Sequence, residues 1–320
     1  MTNHKTAPPR GTCPQRKGII LAGGTGSRLW PLTHSVSKQL LPVYDKPMIY
    51  YPLTQLLQAG IREIAVITTP RDQAQYQALL GDGRQWGVAI TYLVQPRPGG
   101  VAQAFVLAED FLAGSSCLLA LGDNIHLVPR GSTAPAARLA ASQSCGIVGV
   151  PVSDTSAYGV ARLSAQGAVR ALVEKPRAGG PGLAVTGLYA LDHRAPTMAR
   201  SLRPSKRGEL EIVDLLNLYV VEWAVDLVQM PADAQWFDAG THDSLMAAAD
   251  CVRGLQDRQS RLVGSPDLAA LENGWIDAAE LAARVKGCGA SGYGRALLRH
   301  LATMDKVAGP PTDIPVPNAA

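Results

Sequence analysis

A chain of 320 residues, 47% hydrophobic and 18% charged, can bury one large core or two small ones, and this profile excludes collagen-like and wholly disordered chains. Its formal charge of +4 invites a nucleic-acid or anionic-membrane partner, but Lys5, Arg10, Arg16 and Lys17 sit in an opening segment without Asp or Glu. The rest balances 26 basic against 26 acidic side chains, and no apolar run reaches the roughly 18 residues of a membrane helix, so neither nucleic acid nor membrane is expected.

Residues 1–16 are rich in Pro and Gly and poor in apolar side chains, which predicts a flexible basic leader rather than a secretory signal. Gly18–Leu21, Ile64–Thr68, Ile90–Val94 and Cys117–Leu121 are short apolar runs bounded by turn residues and predict strands. Helical patterns lie between them, one over Pro47–Ala59 stopping at Gly60, another capped by Asp72 and running to Leu80. This alternation predicts an α/β fold: a Rossmann-like, doubly wound, mostly parallel central sheet, with a ligand crevice beyond the carboxyl ends of its strands.

From Cys145 the runs crowd together: Ile147–Val152, Val160–Leu163, Val169–Glu174 and Gly187–Leu191 predict strands added to the same sheet as a second wall of the cleft. A helix over Leu210–Val221 and a strand over Ala224–Gln229 are expected to return toward the first half, and Asp243–Leu255 opens a helical C-terminal part. The resulting division is a leader (1–16), a main unit (17–241) with halves near 17–125 and 145–241, a helical region (242–307) and a proline-rich, disordered tail (308–320). Five cysteines, Cys13, Cys117, Cys145, Cys251 and Cys288, are widely spaced without a C-x-x-C, which points to a reducing, cytoplasmic compartment and not to disulfides or thiolate zinc.

Directly after the first strand comes Leu21-Ala22-Gly23-Gly24-Thr25-Gly26-Ser27-Arg28-Leu29. Bare backbone N–H groups and a guanidinium suit a polyphosphate. A dinucleotide fingerprint needs glycine where Leu29 stands, and a Walker A loop needs Gly-Lys-Ser/Thr there, so both familiar phosphate motifs fail. Alone, the loop is equally well a tight turn with Arg28 on the surface.

More motifs follow: Leu29-Trp30-Pro31-Leu32-Thr33, Ser37-Lys38-Gln39-Leu40-Leu41-Pro42-Val43 and Asp45-Lys46-Pro47-Met48-Ile49. Further on stand Gln95-Pro96, Gly122-Asp123-Asn124-Ile125, Tyr158-Gly159-Val160, Glu174-Lys175-Pro176, Val185-Thr186-Gly187-Leu188-Tyr189, Arg207-Gly208-Glu209 and Trp236-Phe237-Asp238. In this order they resemble the sugar-1-phosphate nucleotidyltransferases, and in detail the glucose-1-phosphate thymidylyltransferases. The resemblance implies transfer of a deoxythymidylyl group from dTTP to glucose 1-phosphate with release of pyrophosphate, Mg²⁺ as cofactor, and a homotetramer with subunit contacts through the C-terminal helices.

It also implies roles. Arg28 and the loop at Leu21, Gly23, Gly24, Gly26 and Ser27 would hold the nucleotide phosphates, and Lys38 would offset charge near the α-phosphate. Gln95, Pro98 and Gly100 match the base-holding positions. Asp123 and Asp238 would bind the metal; taken alone, Asp238 is more readily a turn or helix cap than a ligand. Lys175 would grip the sugar phosphate, with Leu121, Tyr158, Gly159, Glu174, Val185, Tyr189, Arg207 and Trp236 around the sugar. Core packing competes for Trp236, and an internal salt bridge competes for Arg207 and Glu209.

The chain departs from the family pattern where His126-Leu127-Val128-Pro129-Arg130-Gly131 follow Ile125, replacing an aromatic and histidine-bearing stretch that helps form a second, feedback nucleotide site. Weakened end-product control is the expectation. Gly99 and Val101 also differ beside the base-holding turn, which bears on substrate preference. UTP or an amino- or deoxyhexose 1-phosphate are alternative substrates; a non-catalytic nucleotide-sugar-binding regulator would be expected to lack some of Arg28, Lys38, Asp123, Lys175 and Asp238, all present here.

Overall fold

The computed structural model describes residues 16–308 except Thr25, Arg130, Trp223 and Cys288. The leader through residue 15 and residues 309–320 of the expected tail therefore lie outside the described residues. The first half runs β1 (Lys17–Ala22), β2 (Pro42–Val43), β3 (Lys46–Pro47), α1 (Tyr50–Gln58), β4 (Glu63–Thr68), α2 (Gln73–Leu80), β5 (Ala89–Val94), α3 (Gln103–Leu107), α4 (Glu109–Leu112) and β6 (Cys117–Leu121). Then come β7 (Asn124–Leu127), α5 (Pro135–Leu139), β8 (Cys145–Val152), β9 (Gly159–Leu163), β10 (Val169–Glu174), β11 (Gly182–Leu191), α6 (Ala195–Ser201), α7 (Ile212–Val221), β12 (Val225–Gln229) and β13 (Gln235–Asp238). The C-terminal region is helical: α8 (His242–Gln259), α9 (Pro266–Glu272), α10 (Ala278–Val285) and α11 (Gly292–Ala308).

Strands β6, β1, β4 and β5 lie side by side and run parallel. Successive strands step from β1 to β5 in one direction, and β6 returns to the other flank of β1. The winding reverses between β1 and β6, where an open α/β sheet leaves a crevice beyond its carboxyl ends. Leu21 and Leu121 pair at that edge. Beyond β6 the sheet continues antiparallel through β11 to β9 and β10, and β8 also pairs with β11. The expected return of the later strand to the first half is corrected: β12 pairs with β8, its register continuing through five residues from Val225 opposite Cys145.

Because side chains alternate along a strand, Ile20 and Ala22 face one core cluster with Leu53, Leu56 and Leu57 of α1, whereas Ile19 faces another with Phe105, Leu215 and Tyr219. Helix α1 supplies Leu53, Leu56 and Leu57 at the spacing that puts them on one face, and all three are fully buried, worth about 1.5–3 kcal/mol each. It begins at Tyr50 rather than Pro47 because Lys46 and Pro47 pair with Val43 and Pro42. Asp72 does precede α2, but its carboxylate accepts from Thr69 Oγ1 at 2.7 Å and pairs with Arg71 at 2.8 Å instead of capping the helix.

Leu268, Leu271, Leu281, Val285, Leu297 and Leu301 of the C-terminal helices join the cluster under α1, so this region shares the core of the main unit. Arg16 corrects the leader boundary. It is buried, and its guanidinium donates to the carbonyls of Cys117 and Leu191 at 3.1 Å each, of Ala140 at 3.3 Å and of Ser142. Cys117 is a core thiol, pushed up to about 12 by burial, and Cys145, on the other side of β11, is buried in the same cluster; Cys13 and Cys288 lie outside the described residues.

Candidate active site

The glycine-dense loop leaves β1 at the switch point and enters one 3-10 turn, Ser27–Leu29, rather than an α-helix. Leu29 anchors that turn in the core, fully buried, while Gly24, Ser27 and Arg28 are exposed and Thr25 lies outside the described residues. Gly26 has φ of +61°, and a Cβ there would lie 2.8 Å from Thr33 Cγ2 and 3.1 Å from Lys38 Cβ. Glycine thus lets the loop close onto the segment carrying Lys38, with Thr33 Oγ1 donating to the Gly26 carbonyl at 2.9 Å.

Lys38 is buried, and its ammonium donates to Asp123 Oδ2 at 2.6 Å and lies 3.9 Å from Asp238 Oδ1. Arg28 Nη2 lies 3.9 Å from Asp238 Oδ2, its guanidinium against Gly240. The aspartates meet because β13 pairs antiparallel with β7, placing Asp238 opposite Asn124, next to Asp123 at the end of β6. Asp238 ends a strand, and Thr241, not Asp238, caps α8, which removes the capping explanation. Two carboxylates this close do not ionise alike. Burial and the charge of Asp123 push the Asp238 carboxyl up, while at Asp123 the Lys38 charge and donated hydrogen bonds outweigh burial and hold it below the usual carboxylate value.

Two hard oxygen donors facing an open cleft fit an ion that takes its other ligands from phosphate and water, as Mg²⁺ does. Among the described residues no group of three or more His, Cys, Asp or Glu forms a more complete cage.

Across the cleft, Tyr158 and Trp236 pack edge to face with ring centroids 5.0 Å apart. Lys175 follows β10 with φ of +41°, and its N–H donates to the Tyr158 carbonyl at 3.0 Å, so the turn at Gly159 and the end of β10 are held together. Its ammonium lies 3.4 Å from Glu174 and its charge reaches Asp238, lowering the cost of ionising that carboxyl. Arg207 pairs with Glu211 at 2.8 Å and with Glu174 and Glu209 at 3.4 Å each, so the internal salt-bridge account of Arg207 and Glu209 describes its contacts. Val185 and Tyr189 are buried in the core beneath this wall; burial, with the charges of Glu174 and Asp123 nearby, pushes the Tyr189 hydroxyl up and keeps it neutral.

The base-holding positions stand somewhat apart. Gln95 is buried at the end of β5, its Nε2 donating to Gln103 Oε1 at 2.7 Å and its amide oxygen facing Gly23. Pro98 is exposed. Gly100, with φ of +90°, does permit a close approach, but to the backbone of Leu210, whose N–H donates to the Gly99 carbonyl at 2.8 Å. Two features were not singled out from sequence. Ser37 and Gln39, either side of Lys38, both bond the Tyr76 hydroxyl of α2, at 2.7 and 3.1 Å. Asn124 bonds Asp123 on one side and Trp236 on the other. Their position within motifs that carry Lys38 and Asp123 was the available signal.

Residues 17–253 match the nucleotidyl transferase family. The glucose-1-phosphate thymidylyltransferase of Xanthomonas campestris pv. campestris is 50% identical over 268 residues, 83% of this chain and 90% of that protein. The protein of the same description from Mycobacterium tuberculosis is 45% identical over 285 residues, 89% of this chain and 99% of its own length. A solved structure from Bacillus anthracis, provisionally assigned as a glucose-1-phosphate thymidylyltransferase and holding a sucrose, superposes with a TM-score of 0.68 at 38% identity, covering 74% of this chain and 95% of that one. A UDP-glucose pyrophosphorylase complexed with UDP-glucose has a TM-score of 0.66 at 21% identity, covering 75% of this chain and 98% of its own, and shares the fold. The chain therefore belongs to the nucleotidyl transferase family, in the branch of the glucose-1-phosphate thymidylyltransferases.

Proposed function

We propose that the chain transfers a deoxythymidylyl group from dTTP to glucose 1-phosphate, giving dTDP-glucose and pyrophosphate. The observation that carries the site assignment is the buried Lys38 ammonium between Asp123 and Asp238, with Arg28 alongside, at the carboxyl ends of β1 and β6. A phosphate oxygen of glucose 1-phosphate attacks the α-phosphorus in line; the bond to the β-bridging oxygen breaks, and pyrophosphate leaves with that electron pair. The nucleophile is already anionic at neutral pH, so the residues align two anions and offset their repulsion, with no general base required.

In this reading Arg28 and the loop amides hold the β- and γ-phosphates, with planar guanidinium contacts. Lys38 offsets charge at the α-phosphate, and Lys175 holds the sugar phosphate. Asp123 and Asp238 hold Mg²⁺, which when bound supplies further positive charge to the phosphates. Gln95, Pro98 and Gly100 frame the base, and Tyr158, Glu174 and Trp236 the sugar. The main unit (17–241), the helical region (242–307) as subunit contact, a homotetramer and a cytoplasmic setting belong to the same proposal. No described helix is long and apolar enough to cross a membrane.

The test is pyrophosphate release with Mg²⁺ from dTTP, UTP, dCTP, ATP and GTP against several hexose 1-phosphates. The highest kcat/KM is expected for dTTP with glucose 1-phosphate; a clear preference for UTP, or for an amino- or deoxyhexose 1-phosphate, would contradict the substrate assignment.

A further inference from the structure

Asn124 is the first residue of β7, directly after Asp123 in the turn that follows β6, and pairs with Asp238 in the short ribbon of β7 and β13. Side chains alternate along that ribbon, so Asn124 and His126 of β7 share a face with Trp236 and Asp238 of β13. Trp236 stands opposite His126 and diagonally from Asn124, a separation an indole can span. Its Nε1–H donates to Asn124 Oδ1 at 2.8 Å, and Asn124 Nδ2 donates to Asp123 Oδ1 at 3.0 Å.

The indole nitrogen can only donate, so it fixes which end of the amide is oxygen. The other end must then be the NH₂ group, and it meets a carboxylate that can only accept when ionised. Asn124 is buried, and its amide carbon is pressed on Gly187, where φ is +73° and a Cβ would come within 2.9 Å. The amide therefore has one orientation and little room to leave it. Asp123 is held at both oxygens, by Lys38 at Oδ2 and Asn124 at Oδ1, and the indole edge that Asn124 grips belongs to the ring packed against Tyr158.

We propose that Asn124 is a positioning residue that couples the sugar-facing Trp236 to the metal-facing Asp123, so that the placement of the sugar wall sets the orientation of the carboxylate. This rests on the roles assigned above to Asp123 and Trp236. Hydrogen bonds behind a ligating carboxylate fix its direction, and losing them weakens metal binding without touching the metal. Trp236 lies on the sugar side and reaches Asp123 through Asn124. A change at Trp236 should therefore alter metal affinity only while Asn124 is present.

The experiment measures the Mn²⁺ dissociation constant of the protein saturated with dTDP-glucose, from loss of the free-ion electron paramagnetic resonance signal. Wild type, Trp236→Phe, Asn124→Ala and the double variant form a cycle. Trp236→Phe, which keeps a ring but loses the N–H, should weaken Mn²⁺ about fivefold or more, and this effect should vanish in the Asn124→Ala background. If Asn124→Ala does not fold, the isosteric Asn124→Asp replaces it, since it accepts from the indole but cannot donate to Asp123. Mn²⁺ affinity within twofold of wild type in Trp236→Phe, or independent and additive effects, overturns the coupling. Wild type that binds dTDP-glucose but no Mn²⁺ overturns it together with the metal assignment, and wild type that binds no dTDP-glucose contradicts the proposed function itself.

Discussion

Charge at the site is carried by few residues, each held differently. Lys38 is buried between two carboxylates, whereas Arg28 is mostly exposed and reaches in over Gly240. Arg28→Ala should lower the rate of pyrophosphate release by about 10²–10³, the usual cost of one preorganised charge, with an unchanged Tm because the guanidinium is solvated. Near-wild-type turnover would remove its assigned role. Asp238 tests the opposite balance. Its carboxyl holds a proton more tightly in the folded protein than in the unfolded chain, because of burial and then the charge of Asp123. Its contribution to stability is therefore lost as pH rises from the ordinary carboxylate value through the raised one. Asp123, held low, has the reverse sign: its contribution is lost as pH falls through its depressed value. Asp238→Asn should abolish activity yet raise the metal-free Tm at neutral pH, because it removes a carboxylate whose ionisation burial and Asp123 oppose. A lower Tm in a metal-free thermal melt would contradict that assignment. Lys38 and Asp123 were legible as members of ordered motifs. The clamp of Tyr76 on Ser37 and Gln39 was not, because a tyrosine in a helical pattern reads as core until its hydroxyl is placed.

At the scale of elements, what was legible depended on locality. Cys117–Leu121 is an uninterrupted apolar run, buried on both faces of the mixed central sheet, and the strand has those limits. The ribbon of β7 and β13 was invisible, since four-residue strands carry little pattern and their partners are more than 100 positions apart. Yet that ribbon brings Asp238 to Asp123 and Trp236 to Asn124. Strand β11 begins at Gly182, before the expected Gly187, because Gly187 interrupts the pattern with φ of +73° while the strand continues through it. Gly187→Ala adds a strained backbone and a contact with Asn124 and Leu121, so it should cost about 2–4 kcal/mol and lower the urea midpoint. An unchanged midpoint would show that the bend relaxes freely.

For the whole molecule, the location of charge mattered more than its sum. Two of the four cations of the opening segment belong to the fold: Arg16 ties β6 and β11 to the end of α5, and Lys17 pairs with Glu63 at 3.0 Å. Removing residues 1–15 should leave turnover and Tm unchanged, whereas Arg16→Ala should cost about 2–3 kcal/mol by leaving buried carbonyls unpaired, measured by urea denaturation. Of the changed stretch, His126 and Leu127 are built into the core. His126 is buried, bonded to Thr186 Oγ1 at 2.9 Å and pushed by burial to about 3, so its imidazole stays neutral and turned inward. Turnover is accordingly expected to resist low-micromolar dTDP-rhamnose; inhibition non-competitive with dTTP would contradict this. In the proposed function, Lys38, set between Asp123 and Asp238, is the charge on which deoxythymidylyl transfer depends. The most direct test is dTDP-glucose formation from dTTP and glucose 1-phosphate by wild type and Lys38→Ala at matched folded concentration. The account predicts product from wild type and a loss of about 10²-fold or more in the variant; a variant within tenfold of wild type would contradict it.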